Sequence, residues 1–454
     1  MVPSVSETRE SSTRQWAFDT CSRLWPWARK GTLALSDQFL NSGSNFLLAI
    51  LLARWLPAHA YGAYALAFSI YLLGINLQQS LVTEPMAVFG PATYRENLPQ
   101  YLGVLLWING LLAFLFALFL GVCALVAHEF RLSGGLAGSF AGLSLAAGCN
   151  FVLQWLRRAL YLEYRVAEAT AGSLLYSLLL VSGTWIVYRH GLLSSFSAFV
   201  VMAIGSLVTS AFLLFRLKPV IRPAGHPDWA EVWRRHWDYG RWVLGTSAVK
   251  WIPGNSFYLL TGGLLGMADV GALKALLNLF LPLGQAGNSL SLVFQPYVSG
   301  VFGRKGREST RVPVEWVTIA FLGAGLAYLA VLVVFKRPLF HLLYGGKFMD
   351  AFYLVPWVAV GGALVVASYG PAIGLRAIQS PSSVFGIYSG AALVSIVLGV
   401  LGTWALGLKG TIGAWVLSDL STVVLATWMF YRKVGARPAS ESLKASERSQ
   451  RVEA

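Results

Sequence analysis

Residues 33–55 read LALSDQFLNSGSNFLLAILLARW. As a helix this stretch rises about 35 Å, enough to cross a hydrocarbon core of about 30 Å. Its polar residues share one side: Asp37, Asn41, Ser44 and Asn45 stand at i, i+4, i+7 and i+8. Polar groups in hydrocarbon are costly, so such a face turns to neighbouring helices or to water. The segment therefore predicts one member of a bundle of spanning helices, not a lone anchor.

The rest of the chain repeats the signal. Of 454 residues, 56% are apolar and 12% charged, too apolar for a water-soluble surface and too hydrophobic for disorder over most of the length. Twelve stretches of spanning length stand at 33–55, 61–83, 101–127, 134–156, 168–188, 194–217, 240–265, 270–299, 314–335, 352–375, 384–406 and 411–431. The eighth carries Pro282 and Pro296 and is expected to kink or re-enter. No signal-peptide pattern opens the chain.

A net charge of +15 invites a nucleic-acid reading, and its distribution removes it. With twelve spans, 26 of the 35 Lys and Arg fall on the side of the two termini and 7 on the other, while Lys250 and Lys274 lie inside spans. This bias is the positive-inside signal and predicts cytoplasmic termini. The same side carries Trp229, Trp233 and Trp237 with Arg234, Arg235 and His236 between them, the pattern of an interfacial amphipathic helix facing anionic lipid. Segment 14–30 reads likewise. The organisation expected is an interfacial N-terminal segment (1–32), a six-helix lobe (33–217), an amphipathic linker (218–239), a second six-helix lobe (240–431) and a disordered cytoplasmic tail (432–454).

The lobes echo one another. Asn45, Tyr61-Gly62-Ala63 and Thr83-Glu84-Pro85 correspond to Asn255, Val270-Gly271-Ala272 and Phe294-Gln295-Pro296 at offsets of 210, 209 and 211. Odd spans fall on odd spans, so the halves would share one orientation about an axis along the membrane normal.

The first two spans of each half are the wettest. Beside Asn41 and Asn45, span two carries Asn76, Gln79 and Thr83 on one face, and span eight carries Lys274, Asn278, Gln285 and Asn288. Thr246 and Lys250 lie four apart in span seven, ahead of a break expected at Pro253-Gly254. These residues line a hydrated path or bond helix to helix. Lys250 stands about 15 Å deep and reads either as an anion site or as half of a structural ion pair. Asp419 is similarly deep. Lys274 enters from the outer side, where it can snorkel or else supply positive charge to the path. Asp37 sits in a first helical turn, where a carboxylate suits the helix dipole. Glu84, before Pro85, reads as an ion-coupling group or as a helix terminator. Together with Asp37 and Asp419 it is a candidate for ion coupling.

No catalytic or cofactor site emerges. Cys21, Cys123 and Cys149 have no metal-ligand spacing, and none of the six histidines falls inside a span. The outer loops hold only Glu129, Asp269 and Asp350 as acids, which opposes a membrane glycan polymerase or ligase. Gly262-Gly263 and Gly361-Gly362 are expected to serve close helix packing.

The opening of the chain resembles a family. Leu35-Ser36-Asp37-Gln38, Ser42-Gly43-Ser44-Asn45-Phe46, Ala53-Arg54-Trp55-Leu56, Tyr61-Gly62-Ala63-Tyr64-Ala65 and Glu84-Pro85-Met86 are similar to the start of bacterial polysaccharide-biosynthesis membrane proteins. These are oligosaccharide flippases of the Wzx or PST type, within the multidrug/oligosaccharidyl-lipid/polysaccharide (MOP) exporter superfamily. The resemblance implies an all-α, MATE-like, two-lobed transporter of the inner membrane, with a central cavity. It implies a flippase that turns a polyprenyl-pyrophosphate-linked oligosaccharide towards the periplasm for surface polysaccharide, lipopolysaccharide or O-antigen synthesis, without cofactor or metal. Other glycan-assembly membrane proteins would be its partners. Span one lacks the several arginines expected of lipid II flippases. A drug/cation antiporter of the same superfamily, which wants buried acids, remains the alternative; an integral-membrane glycan polymerase or ligase is a third reading.

Overall fold

The computed structural model describes residues 32–33, 35–132, 135–217, 228–378 and 380–435. The interfacial segment expected at 14–30, residues 218–227 of the linker and tail residues 436–454 lie outside them. Every regular element among the described residues is helical. In chain order they are α1 (35–55), α2 (Ala58–Gln78), a π-helical turn (Gln79–Thr83), α3 (Glu84–Ala92), α4 (Leu98–Glu129), α5 (Leu136–Leu162), α6 (Val166–Arg189) and α7 (Ser195–Leu217). Then come α8 (Trp229–Leu264), α9 (Met267–Asn278), α10 (Leu281–Lys305), α11 (Arg311–Val334), α12 (Lys336–Tyr344), α13 (Val355–Ala377), α14 (Pro381–Leu406) and α15 (Leu408–Gly435).

Nine helices among the described residues are long and apolar enough to cross a membrane, counting α2 through α3 as one. The pair α9 and α10, bent by 48° at its break, makes a tenth. The bend falls where span eight was expected to kink, with Pro282 in the first turn of α10. The other two expected spans are helical too, in α1 and in the second part of α8. The polar residues that mark them lower their hydropathy: Asp37, Asn41 and Asn45 in α1, and Thr246, Lys250 and Asn255 in α8.

Three local expectations are corrected. Glu84-Pro85 does not end span two. The π turn opens the helix just where the Pro85 nitrogen has no hydrogen to donate, and α3 then starts with proline in its first turn, where none is needed. The helix likewise runs through Pro253, so the tryptophan-rich linker and span seven form one 36-residue helix, α8. Finally, Gly361 and Gly362 lie against Trp415 and Phe280, and Gly262 against Leu66, but Gly263 faces open space.

The chain divides into two compact units that do not follow its halves. Of the described residues, unit 1 comprises those up to 48, 78–122 and 141–240, and unit 2 comprises 49–77, 123–140 and 241–435. In unit 1, α6 packs on α7, with Gly172 against Leu213 and Gly183 against Val201. In unit 2, α13 lies between α11 and α15 around Val314, Phe321, Val366, Ile373 and Phe430. At the crossing of α2 and α9, a Cβ on Gly62 would overlap the carbonyl of Met267, and one on Gly271 would come within 2.5 Å of the carbonyl oxygen of Ala58. Only glycine permits that approach.

Candidate functional site

Each unit holds a cluster of polar groups among its helices. In unit 1 the cluster centres on Asp37 in α1, which is 2% exposed. Arg157 in α5 donates from Nη2 to Oδ2 at 2.7 Å, and the Tyr161 hydroxyl donates to the same oxygen at 2.8 Å. Ser173 in α6 donates to Oδ1. Both carboxylate oxygens are thus engaged by protein groups. The sequence sets Arg157 outside the spans, yet it stands within α5, and its pairing with Asp37 joins positions 120 residues apart.

Unit 1 also fixes the start of α8. His236 is fully buried, with Nε2 2.7 Å from the Tyr101 hydroxyl and Nδ1 3.0 Å from the carbonyl oxygen of Leu81 in the π turn. Burial pushes its imidazole down to about 4. Neutral imidazole with Nδ1 protonated donates to Leu81 and accepts from Tyr101. The exposed rings of Trp233 and Trp237 stack loosely on the outer side of the same helix.

Unit 2 contains a cavity of about 480 Å³. Lys250 from α8, Lys274 from α9, Arg376 from the last turn of α13 and Asp419 from α15 are the charged groups of its wall. Asn255, Asn278 and Asn288 add amides, and Phe68, Tyr258, Tyr369, Tyr388 and Trp415 add rings. Lys274 does not snorkel: it is 9% exposed, with Nζ 5.6 Å from the ring centre of Phe68 and 5.5 Å from that of Tyr258. Its helix is short and enclosed on every side, so its stem has no route to an interface. Lys250 places Nζ 5.0 Å from the ring centre of Tyr388. Cation–π contacts of this kind lower the cost of holding an ammonium away from water. Neither Lys274 nor Arg376 forms an ion pair among the described residues.

Two acceptors of this wall lack donors among the described residues, Oδ1 of Asn278 and Oδ2 of Asp419. Asn278 is 1% exposed, and its amide nitrogen donates to the Tyr61 hydroxyl at 2.8 Å.

Of the residues expected on a hydrated path, the cavity thus gathers Lys250, Lys274, Asn278 and Asn288, together with Asp419. Gln285 is exposed elsewhere on α10, and Asn76 and Gln79 are half-buried outside the cavity wall. Asn41 and Asn45 bond to one another along α1, the Asn45 amide donating to the Asn41 carbonyl at 2.7 Å. Glu84 is half-buried at the start of α3. Arg376 and the aromatic rings were not singled out in the sequence. Arg376 looks like a loop cation there, one residue past an apolar run, and aromatic residues in spans look like ordinary packing.

No protein-family model matches the chain, and no curated protein matches it. Solved structures do. An inward-facing multidrug resistance MATE family transporter of the MOP superfamily superposes with a TM-score of 0.75 at 14% identity, over 87% of this chain and 94% of that one. The lipid II flippase MurJ, in an inward closed conformation, gives 0.65 at 14% identity over 93% and 91%. The eukaryotic MATE transporter AtDTX14 gives 0.62 at 15% identity over 93% and 99%. The chain is a polytopic membrane protein with the all-helical, MATE-like fold shared by transporters of the MOP superfamily.

Proposed function

We propose that this protein is a flippase that moves a polyprenyl-pyrophosphate-linked oligosaccharide from the cytoplasmic to the periplasmic leaflet of the inner membrane. It would serve the assembly of a surface polysaccharide or lipopolysaccharide, with both termini in the cytoplasm. The observation that carries the reading is the cavity of unit 2, where Lys250, Lys274 and Arg376 face a single carboxylate, Asp419. An excess of positive charge at bilayer depth is costly and is relieved by an anion. A pyrophosphate supplies that anion and takes up several charge-assisted hydrogen bonds. Asn255 and Asn288 offer hydrogen bonds to the polar headgroup, while the apolar tail stays in lipid. The lipid II flippase among the fold's relatives acts on a lipid-linked substrate, which agrees with this chemistry.

Deletion of the gene followed by lipid analysis tests the reading. The expected outcome is loss of surface glycan, with its lipid-linked unit held in the cytoplasmic leaflet. Accumulation of the unit in the outer leaflet would point instead to a polymerase or ligase. Lys250→Ala should lower export at least tenfold and Lys250→Arg should restore part of it. Normal export by the alanine variant would remove the anion site.

A drug/cation antiporter is the second reading, favoured by the MATE relatives and by Asp419. It predicts that Asp419→Asn abolishes efflux of lipophilic cations while Lys250→Ala spares it.

A further inference from the structure

We infer that the ends of α1 and α12 form a latch that closes the periplasmic side of the molecule and parts each time the transporter opens outwards. The inference rests on the proposed flippase reading, whose cytoplasmic termini set these two helix ends at the periplasmic face.

The last carbonyls of a helix have no donors within it, and a cation placed there meets both the free oxygens and the negative end of the helix dipole. Two helices of unit 2 exchange such cations. Lys347, three residues past α12, donates from Nζ to the carbonyl oxygens of Arg54 and Leu56 at the end of α1, each at 2.8 Å. Arg54, in the last turn of α1, donates from Nη1 to the carbonyl oxygen of Leu342 in the last turn of α12, at 2.9 Å. The backbone around Lys347 is left-handed at Gly345, Gly346 and Phe348, with φ of 62°, 84° and 60°. Such a conformation is disfavoured for a residue as bulky as phenylalanine. Ring contacts hold it, with centroids 6.1 Å from Tyr61 in α2 and 6.0 Å from Tyr344 in α12. Tyr344 in turn donates from its hydroxyl to the carbonyl oxygen of Ala275 in α9 at 2.7 Å.

The repeat in the sequence assigns α1 and α2 to the first half of the chain, and α9 and α12 to the second. Residues 49–77 nevertheless group with unit 2. The exchanged cations, the bond from Asn278 to Tyr61 and the glycine crossing of α2 and α9 are what join them to it. A carrier that delivers cargo to the periplasmic leaflet cannot keep first-half and second-half helices joined on that side throughout its cycle. The bonds suit release. Each ends on a main-chain carbonyl, and neither Lys347 nor Arg54 forms an ion pair among the described residues, so water can take the place of either partner. The stretch that joins unit 2 ends at residue 77, beside the π turn (Gln79–Thr83), where the regular helical ladder is interrupted and a helix bends most readily.

Thiol labelling of right-side-out spheroplasts tests this. The full-length protein has its three cysteines replaced by serine, and Ser69→Cys places a reporter in the wall of the unit 2 cavity. A membrane-impermeant methanethiosulfonate in the medium reaches that thiol when the periplasmic side is open, so the labelling rate follows the population of the open state. Lys347→Met and, independently, Arg54→Met should each raise the rate about fivefold or more. Lys347→Arg, which keeps donors at the end of α1, should stay near the parent rate. Lys336→Met removes a cation of α12 that sits over Phe352 instead, and should leave the rate unchanged. Unchanged rates in both Lys347→Met and Arg54→Met, or an equal rise in Lys336→Met, would overturn the latch. Labelling needs no cargo, so the flippase reading stands or falls separately, on the export assay.

Discussion

Asp37 in unit 1 and Asp419 in unit 2 are both carboxylates carried on long helices of the bundle, and the protein treats them in opposite ways. Asp37 is enclosed by Arg157, Tyr161 and Ser173, its charge matched and its oxygens bonded. Asp419 faces a cavity with Lys250, Lys274 and Arg376 and keeps an oxygen without a donor. The ion pair ties three helices, α1, α5 and α6, into one arrangement, with both oxygens of Asp37 bonded and Nε of Arg157 left without an acceptor among the described residues. An incomplete set of partners leaves work for something that arrives from outside. Unit 1 thus uses its carboxylate to hold helices together, and unit 2 places its carboxylate among cations on a cavity wall.

The sharpest way to break this comparison is to remove one partner from each unit. Arg157→Met strands a buried carboxylate and should cost about 3–5 kcal/mol of stability, read as a fall in the unfolding temperature in detergent. Asp419→Asn should leave that temperature within a degree or two, since it removes no internal partner. Equal losses would erase the distinction between the units.

Acid should find unit 1 next. The His236 imidazole is held down at about 4 when folded, against an ordinary value near 6.5, so the unfolded chain takes up the proton first. Stability is then full above pH 6.5 and falls as pH drops towards 4, by up to about 3 kcal/mol. His236→Gln should flatten that dependence in unfolding experiments run across the same window.

Lys274→Met sharpens the comparison from the other side. Lys274 has no ion pair to lose among the described residues, so the variant should fold at least as stably as the wild type, yet export should fall about tenfold. A stable variant with normal export would make Lys274 a packing residue. The smallest effect is expected from Trp233→Ala, whose exposed ring should cost about 1 kcal/mol of membrane affinity or less, measured by partition of the protein between detergent and lipid.

The bundle was legible in the sequence because spanning length, polar faces and loop charge are local properties. Stretches 33–55 and 240–265 are helical as expected, although their polar faces leave them short of the hydropathy of a spanning helix. The cavity was half legible: the helical spacing of Lys274, Asn278 and Asn288 places them on one side of a helix, and the depth of Lys250 and Asp419 marks them as unusual. What the sequence could not give was pairing. Nothing local distinguishes Asp37, which finds Arg157 across 120 positions, from Asp419, which finds no donor for its second oxygen. The enclosure of Lys274 is not legible for the same reason: its distance to a helix end leaves snorkelling open, whereas the rings that enclose it, Phe68 and Tyr258, come from other helices. Glu84-Pro85 and Pro253 were misread because a proline inside a membrane helix is accommodated by a π turn or by neighbouring helices, which a water-soluble rule does not anticipate.

The crossing of α2 and α9 is symmetric in its two closest approaches. Gly62 meets Met267, and Gly271 meets Ala58. Shifted by the repeat offset of 209, Ala58 becomes Met267 and Gly62 becomes Gly271, so each contact is the mirror of the other. That is the isologous geometry of a symmetric homodimer, written into a single polypeptide. A side chain gained on one partner alone would meet backbone on the other, so the two glycines constrain one another as the two faces of a homodimer do.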